Sequence, residues 1–300
     1  GKSLPPEGFE TQEYLLTTEA YIETVLAVVD IASDLKKSLA GAVEIARWQK
    51  AHLAVLLVSE SESLPFYGYG GAGYTEIWLK EGEARAAALK EMADAADAYL
   101  SGEDLSFDVR AHQAIATRQD NLVARHAIYS DLTVIYRAEK DDLSTVESQA
   151  IDGALFDSGR PLLFVPDGAS ARLPGKNVLI AWNSRAEAAE AVKDAMPILK
   201  DADQVTLLVV DPVTGPDDHG EEPGADMALV LARHMIKVSV RPVVSEGKDI
   251  SQVIQSEAEQ TGADLIVMGA YGHSRVRQNI LGGTTRHMLE NCTIPLFLAH

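Results

Sequence analysis

Four glycines and two threonines near the end of the chain have the residue types and the spacing to hold an anion. Gly269 and Gly272 open a polar loop, Gly282 and Gly283 close it, and Thr284 and Thr285 follow at once. Glycine has no Cβ, so the backbone of such a loop can approach a ligand closely. A helix that starts at this point adds the free N–H groups of its first turn and a partial positive charge of about +0.5. Together these groups suit a phosphate. Arg275, Arg277 and Arg286 bring cationic side chains close by in sequence. A turn and a cap alone would account for the first two glycines. The Gly-Gly-Thr-Thr run at a helix start favours anion binding over that plainer reading.

Such a loop needs a strand before it and a helix after it. "DLIVMG" (Asp264–Gly269) is the strand, and Thr285, Met288, Leu289 and Cys292 fall at helical spacing after it. Similar short apolar runs recur at "NVLIAW", "VTLLVV", "KVSVRPVV" and "PLFLA". They are continuous rather than alternating, as in strands buried on both faces of a parallel sheet. Val192, Ala195, Met196 and Leu199 predict a helix between two of them, which Pro197 should kink or end early.

The first half offers the same series: "TVLAVVD", "HLAVLLV", "LSFDVRA", "DLTVIY" and "PLLFV". Asp131 matches Asp264 and Pro161 matches Pro295 at almost one offset, whereas Val25 matches Val178 at a larger one. The first half therefore carries an insertion after its second strand. The glycine-rich "FYGYGGAGY" (Phe66–Tyr74) and an alanine-rich helical stretch from Ile77 to Leu100 lie there. The aromatic glycine stretch reads as a lid, a partner-binding loop or a surface insertion. A diverged internal repeat of β-α-β-α-β-α-β-α-β units predicts an α/β fold of two doubly wound five-stranded parallel sheets. The unpatterned "PDGASARLPGK" is the expected linker, giving domains at 20–167 and 174–300.

Composition narrows the function. The 300 residues carry a net charge of −19, with 45 acidic against 26 basic residues. That surface opposes nucleic acid and anionic membrane, so neither is an expected partner. An anion site in such a molecule has to be built locally. Cys292 is the single cysteine, which excludes an intrachain disulfide and a multi-cysteine metal cage; a small core residue at a helix end is its expected role. The start of the sequence has no apolar signal segment and no run approaches the roughly 20 residues of a membrane span, so a cytoplasmic location is expected. The histidines show no metal-ligand spacing, and no Gly-x-Ser-x-Gly elbow marks a hydrolase. No catalytic residue and no metal ligand is assigned.

The spacing Gly269-x2-Gly272-x9-Gly282 resembles the nucleotide-binding signature of the universal stress protein family, Gly-x2-Gly-x9-Gly-(Ser/Thr). The chain from about Glu23 to His300 resembles a tandem member, strongly in the second half and mainly by topology in the first. The resemblance implies sheets of order 3-2-1-4-5, packed as a pseudo-dimer, in a family with members that bind ATP and members that do not. It implies ATP or another adenine nucleotide as cofactor. The clustered carboxylates of Asp211–Asp226 read first as a solvated loop, with help in holding Mg²⁺ beside a nucleotide as the alternative. The family's adenosine-holding Asp is matched by Asn183, which can still hydrogen-bond, and by Asp30 in the first half. Val210 matches the adenine-contacting valine. Ala181, Trp182 and Met268 are the strand-end neighbours assigned to the same site. The phosphate loop maps onto Gly269, Gly272, His273, Gly282, Gly283, Thr284 and Thr285, with His273 as a loop hydrogen-bonding group. Gly283 stands where the signature has Ser or Thr, which removes one hydroxyl.

After "DLTVIY" the first half continues with Arg137 and Ala138, then Glu139, Asp141 and Asp142. Acidic groups there oppose a phosphate, so one nucleotide per chain is expected. The implied function is a stress-response regulator or sensor with at most weak ATP hydrolysis. A slow ATP hydrolase in the same pocket and a nucleotide-free interaction scaffold are the alternatives. A homodimer on top of the internal pseudo-dimer is the expected assembly.

Overall fold

The computed structural model describes residues 22–61, 72–115, 122–137, 143–169, 173, 175–212, 222–270 and 282–300. The strands are β1 (Thr24–Asp30), β2 (His52–Ser61), β3 (Phe107–Ile115), β4 (Leu132–Tyr136), β5 (Leu162–Val165), β6 (Asn177–Trp182), β7 (Gln204–Val210), β8 (Val238–Val243), β9 (Leu265–Gly269) and β10 (Leu296–Ala299). The helices are α1 (Leu35–Gln49), α2 (Ala72–Leu100), α3 (Leu122–Ala127), α4 (Thr145–Asp152), α5 (Ala186–Asp194), α6 (Met196–Asp201), α7 (Ala225–Arg233), α8 (Ile250–Thr261) and α9 (Gly283–Asn291). A π-helical turn, Gly153–Asp157, extends α4.

The continuous apolar runs become strands covered on both sides. In β5 and β10 every residue is buried, and the five central residues of β1 are. One face packs against α1, α2, α5, α6 and α7 through residues such as Leu39, Leu100, Val192, Leu199 and Leu231. The other packs against α3, α4, α8 and α9 through Val123, Ile151, Ile254, Met288 and Leu289. Local chemistry sets the helix ends. Asp34 caps α1 by accepting from Lys37 N at 3.1 Å, and Gly262 closes α8 in the left-handed conformation. Pro197 falls at the start of α6, where its missing N–H costs nothing, and the helical run breaks at Ala195.

One device marks the start of each half. Asp131 accepts from Glu23 N and Thr24 N at 2.9 and 3.0 Å, and Asp264 accepts from Lys176 N and Asn177 N at 2.9 and 3.1 Å. The extra length of the first half lies in α2, with 29 residues against 9 in α7. Of the aromatic insert Phe66–Tyr74, residues 66–71 lie outside the described set.

The number of sheets differs from the expectation. Among the described residues the ten strands form one sheet, in the order β3-β2-β1-β4-β5-β10-β9-β6-β7-β8. Two separate five-stranded sheets would each leave a short apolar end strand with unpaired backbone groups. Here β5 and β10 pair with each other, Leu296 opposite Phe164, Phe297 opposite Leu163 and Leu298 opposite Leu162. This pairing is antiparallel, while the other pairings are parallel. The strands of the two halves therefore run in opposite directions, and their carboxyl ends lie at opposite edges of the sheet.

Candidate functional site

In doubly wound sheets ligands bind beyond the carboxyl ends of the strands, near the point where strand order reverses. In the second half that point lies between β6 and β9, which are neighbours. Ala181 is paired with Met268 there. Ala181, Met268 and Val210 face the α8–α9 side of the sheet, whereas Trp182 packs on the α5 side. The expected nucleotide contacts are thus divided between two faces, with Trp182 away from α9.

β9 and β10 are parallel, so α9 must run back against them and begin at the carboxyl edge. Gly282 is its N-cap residue and Gly283 its first residue. The first turn has no acidic residue and no side-chain cap hydrogen bond among the described residues. Among the described residues, a Cβ added to Gly283 would meet nothing within 4 Å. Thr284 is half-buried, while Thr285 turns inward and is 1% exposed, packing with Met288 and Leu289. Gly272 and His273, with Arg275 and Arg277, lie outside the described residues.

Gly269 has a different neighbour from a ligand. A Cβ there would lie 2.6 Å from Ala188 N and from the carbonyl carbon of Glu187. Glycine at 269 lets the first turn of α5 press against the end of β9. Asn183 is exposed just past β6, and its Oδ1 accepts from Arg185 N at 3.2 Å. Asp30 does the same in the first half, accepting from Ala32 N at 2.9 Å. Ser184 (φ 57) and Asp211 (φ 49) follow β6 and β7 in the left-handed region, an unusual conformation for non-glycine residues at this edge. No sequence signal marks these two positions.

The first half is built differently at the matching points. Register places Tyr136 where the second half has Gly269. The Tyr136 hydroxyl fills the space a Cβ of Gly41 would need, so here the helix gives up its side chain and the strand keeps a large one. Burial pushes the Tyr136 phenol well above its ordinary range. The helix that corresponds to α9 is α4. Its N-terminus is closed by a capping box, in which Ser144 accepts from Glu147 N at 3.1 Å and Glu147 accepts from Ser144 N at 2.6 Å. Ala138, Glu139, Asp141 and Asp142 lie outside the described residues.

Residues 175–300 match the model of the universal stress protein family. The chain resembles the universal stress protein family through this second half, a match that covers less than half of its length. The universal stress protein Slr1230 of Synechocystis sp. is 34% identical over 67 residues, a match that spans 22% of this chain and 22% of that relative. Two solved structures resemble the chain across both halves. A universal stress protein from Archaeoglobus fulgidus DSM 4304 has a TM-score of 0.60 at 18% identity, covering 92% of this chain and 98% of its own. A protein of unknown function from Pseudomonas aeruginosa PAO1 has a TM-score of 0.54 at 15% identity, covering 93% of this chain and 92% of its own. At these identities the likeness is one of fold.

Other side chains of this protein have plain surroundings. The Asp211 carboxyl, from the stretch considered for Mg²⁺, is held below the usual carboxylate range by hydrogen bonds from Ser245, whose N–H donates at 2.7 Å. Residues 213–221 of that stretch lie outside the described set, and among the described residues no group of three or more His, Cys, Asp or Glu side chains could hold a metal ion. His112 and His126, far apart in sequence, bring their rings to 5.6 Å. Burial, then the charges of His112, Arg110 and Arg125, push the His126 imidazole below its ordinary value. Among the described residues no helix is long and apolar enough to cross a membrane.

Cys292 ends α9 within the core at 4% exposure, and burial pushes its thiol up to about 11. Its Sγ donates to Ile294 O at 3.4 Å. The thiolate is the reactive species. A neutral thiol-disulfide reagent at pH 8 should therefore label less than one thiol per native chain over minutes, and one after denaturation. Rapid labelling of the folded protein would contradict this burial.

Proposed function

We propose that the chain is a tandem universal stress protein, with domains at 20–167 and 174–300, that binds one adenine nucleotide in its second domain and acts as a regulator or sensor. The contrast between two equivalent helix starts carries this reading. α4 satisfies the Glu147 N–H with its Ser144 side chain and places the Glu147 carboxylate at its start. Among the described residues α9 offers Gly282 and Gly283, no acid and no side-chain cap, with nothing within 4 Å of a Cβ at Gly283. A phosphate is stabilised by such a start and repelled by the other. Ala181, Val210 and Met268 line the same face of the sheet as α9, a place for the apolar faces of an adenine ring. The family resemblance supplies the nucleotide; the geometry supports which half would take it.

Calorimetric titration with ATP, and separately with ADP, tests this reading. A stoichiometry near one per chain is expected. A value near two would overturn the asymmetry between the halves, and no binding would overturn the nucleotide assignment.

A further inference from the structure

The carbonyls of Leu289 and Glu290, at the far end of α9, have no partner within the helix because the helix ends at Asn291. A cation is favourable at such an end, yet α9 has no basic residue in its last turn. The first half supplies one. Arg137 Nη1 donates to Leu289 O at 3.1 Å and to Glu290 O. Arg137 directly follows β4, and its own N–H is fixed on Val165 O at 2.9 Å. The matching residue of the second half is Ala270, whose N–H bonds Ala299 O at 2.7 Å in the same way. One backbone position thus carries a methyl group in one half and a guanidinium in the other. The antiparallel seam makes the contact possible. It sets the carboxyl edge of the first half against the amino edge of the second, where α9 ends.

We propose that Arg137 is a positioning residue through which the first half fixes α9, and so governs the anion-binding start of that helix. The anion part rests on the nucleotide reading above. α9 is a rod of about 13 Å. Its body is held by buried Thr285, Met288 and Leu289, and its far end by Arg137. Its start is two glycines, which fix nothing by side-chain contact. Loss of the Arg137 anchor lets the rod tilt and frees the Gly282–Gly283 backbone, which must then be ordered when the anion binds. The first half is then more than a packing partner, since Arg137 at the end of its β4 steadies a helix of its neighbour.

The test compares the full-length protein with its Arg137→Gln and Arg137→Lys variants in two measurements. Amide hydrogen exchange should rise about tenfold in α9 of Arg137→Gln, the effect of losing a well-placed cation at a helix end, while α8 and β1 keep their exchange rates. ATP affinity, read by calorimetry, should fall several-fold in Arg137→Gln. Arg137→Lys, which keeps the charge, should recover most of both effects. Unchanged exchange in α9 of Arg137→Gln would overturn the anchoring. Faster exchange with unchanged ATP affinity would overturn the link to the site. A wild-type protein that binds no ATP would overturn the nucleotide reading alone, and the exchange comparison would then still decide whether Arg137 positions α9.

Discussion

Gly269→Ala is expected to lower the folding stability of the protein by about 3 kcal/mol, the upper part of the range for overpacking a core. The added methyl carbon would sit 2.6 Å from the Ala188 nitrogen and the Glu187 carbonyl carbon. Those atoms are backbone in the first turn of α5, so no side-chain rotation relieves the clash. Either α5 lifts from the end of β9 or β9 shifts against its neighbours β6 and β10. Urea denaturation of the two proteins measures the difference. Gly283→Ala is the matched control, because a Cβ there meets nothing within 4 Å among the described residues and alanine is the better helix former. A loss below about 0.5 kcal/mol in Gly269→Ala, within the usual scatter of surface substitutions, would show that glycine is not required by α5.

Gly282→Val should abolish nucleotide binding while leaving the fold largely intact. The backbone at Gly282 (φ −59, ψ 149) is extended, a conformation valine adopts readily. The cost to the fold is that of a poor N-cap, about 1 kcal/mol. The two branched methyls would stand where an anion meets the first turn of α9. If two charge-assisted hydrogen bonds worth about 1.5–3 kcal/mol each are lost, affinity falls by at least about a hundredfold. Circular dichroism confirms the fold, and calorimetry with ATP reads the affinity. A folded Gly282→Val protein with wild-type affinity would remove this helix start from the site.

The two variants separate roles that glycine spacing alone confounds. Gly269 and Gly283 both belong to the signature-like run, and in sequence both read as room for a ligand. Among the described residues there is room beside Gly283 and a helix beside Gly269. The reverse arrangement at Tyr136 and Gly41 was equally hidden. A tyrosine ending one strand and a glycine within the preceding helix are far apart in sequence, and only their packing shows that one makes space for the other.

The local elements were legible in residue order alone. Continuous apolar runs are buried strands because a residue covered on both faces of a sheet has no solvent side to make polar. Pro197 broke its helix where the missing N–H required it, and the larger early offset was absorbed in the 29 residues of α2. Three outcomes emerged only from the packing of the whole chain. The pairing of β5 with β10 made one sheet of ten strands from the two that were expected, because an apolar edge pattern states that a strand needs a partner without stating which one. The antiparallel sense of that pairing set the carboxyl edges of the two halves on opposite sides. It also brought Arg137 to the end of α9, a contact between residues 152 positions apart that no periodicity encodes. Side-chain pattern reports how each element meets its own layer, whereas contacts across a seam depend on the placement of whole halves, and that placement is settled by summed burial and edge pairing.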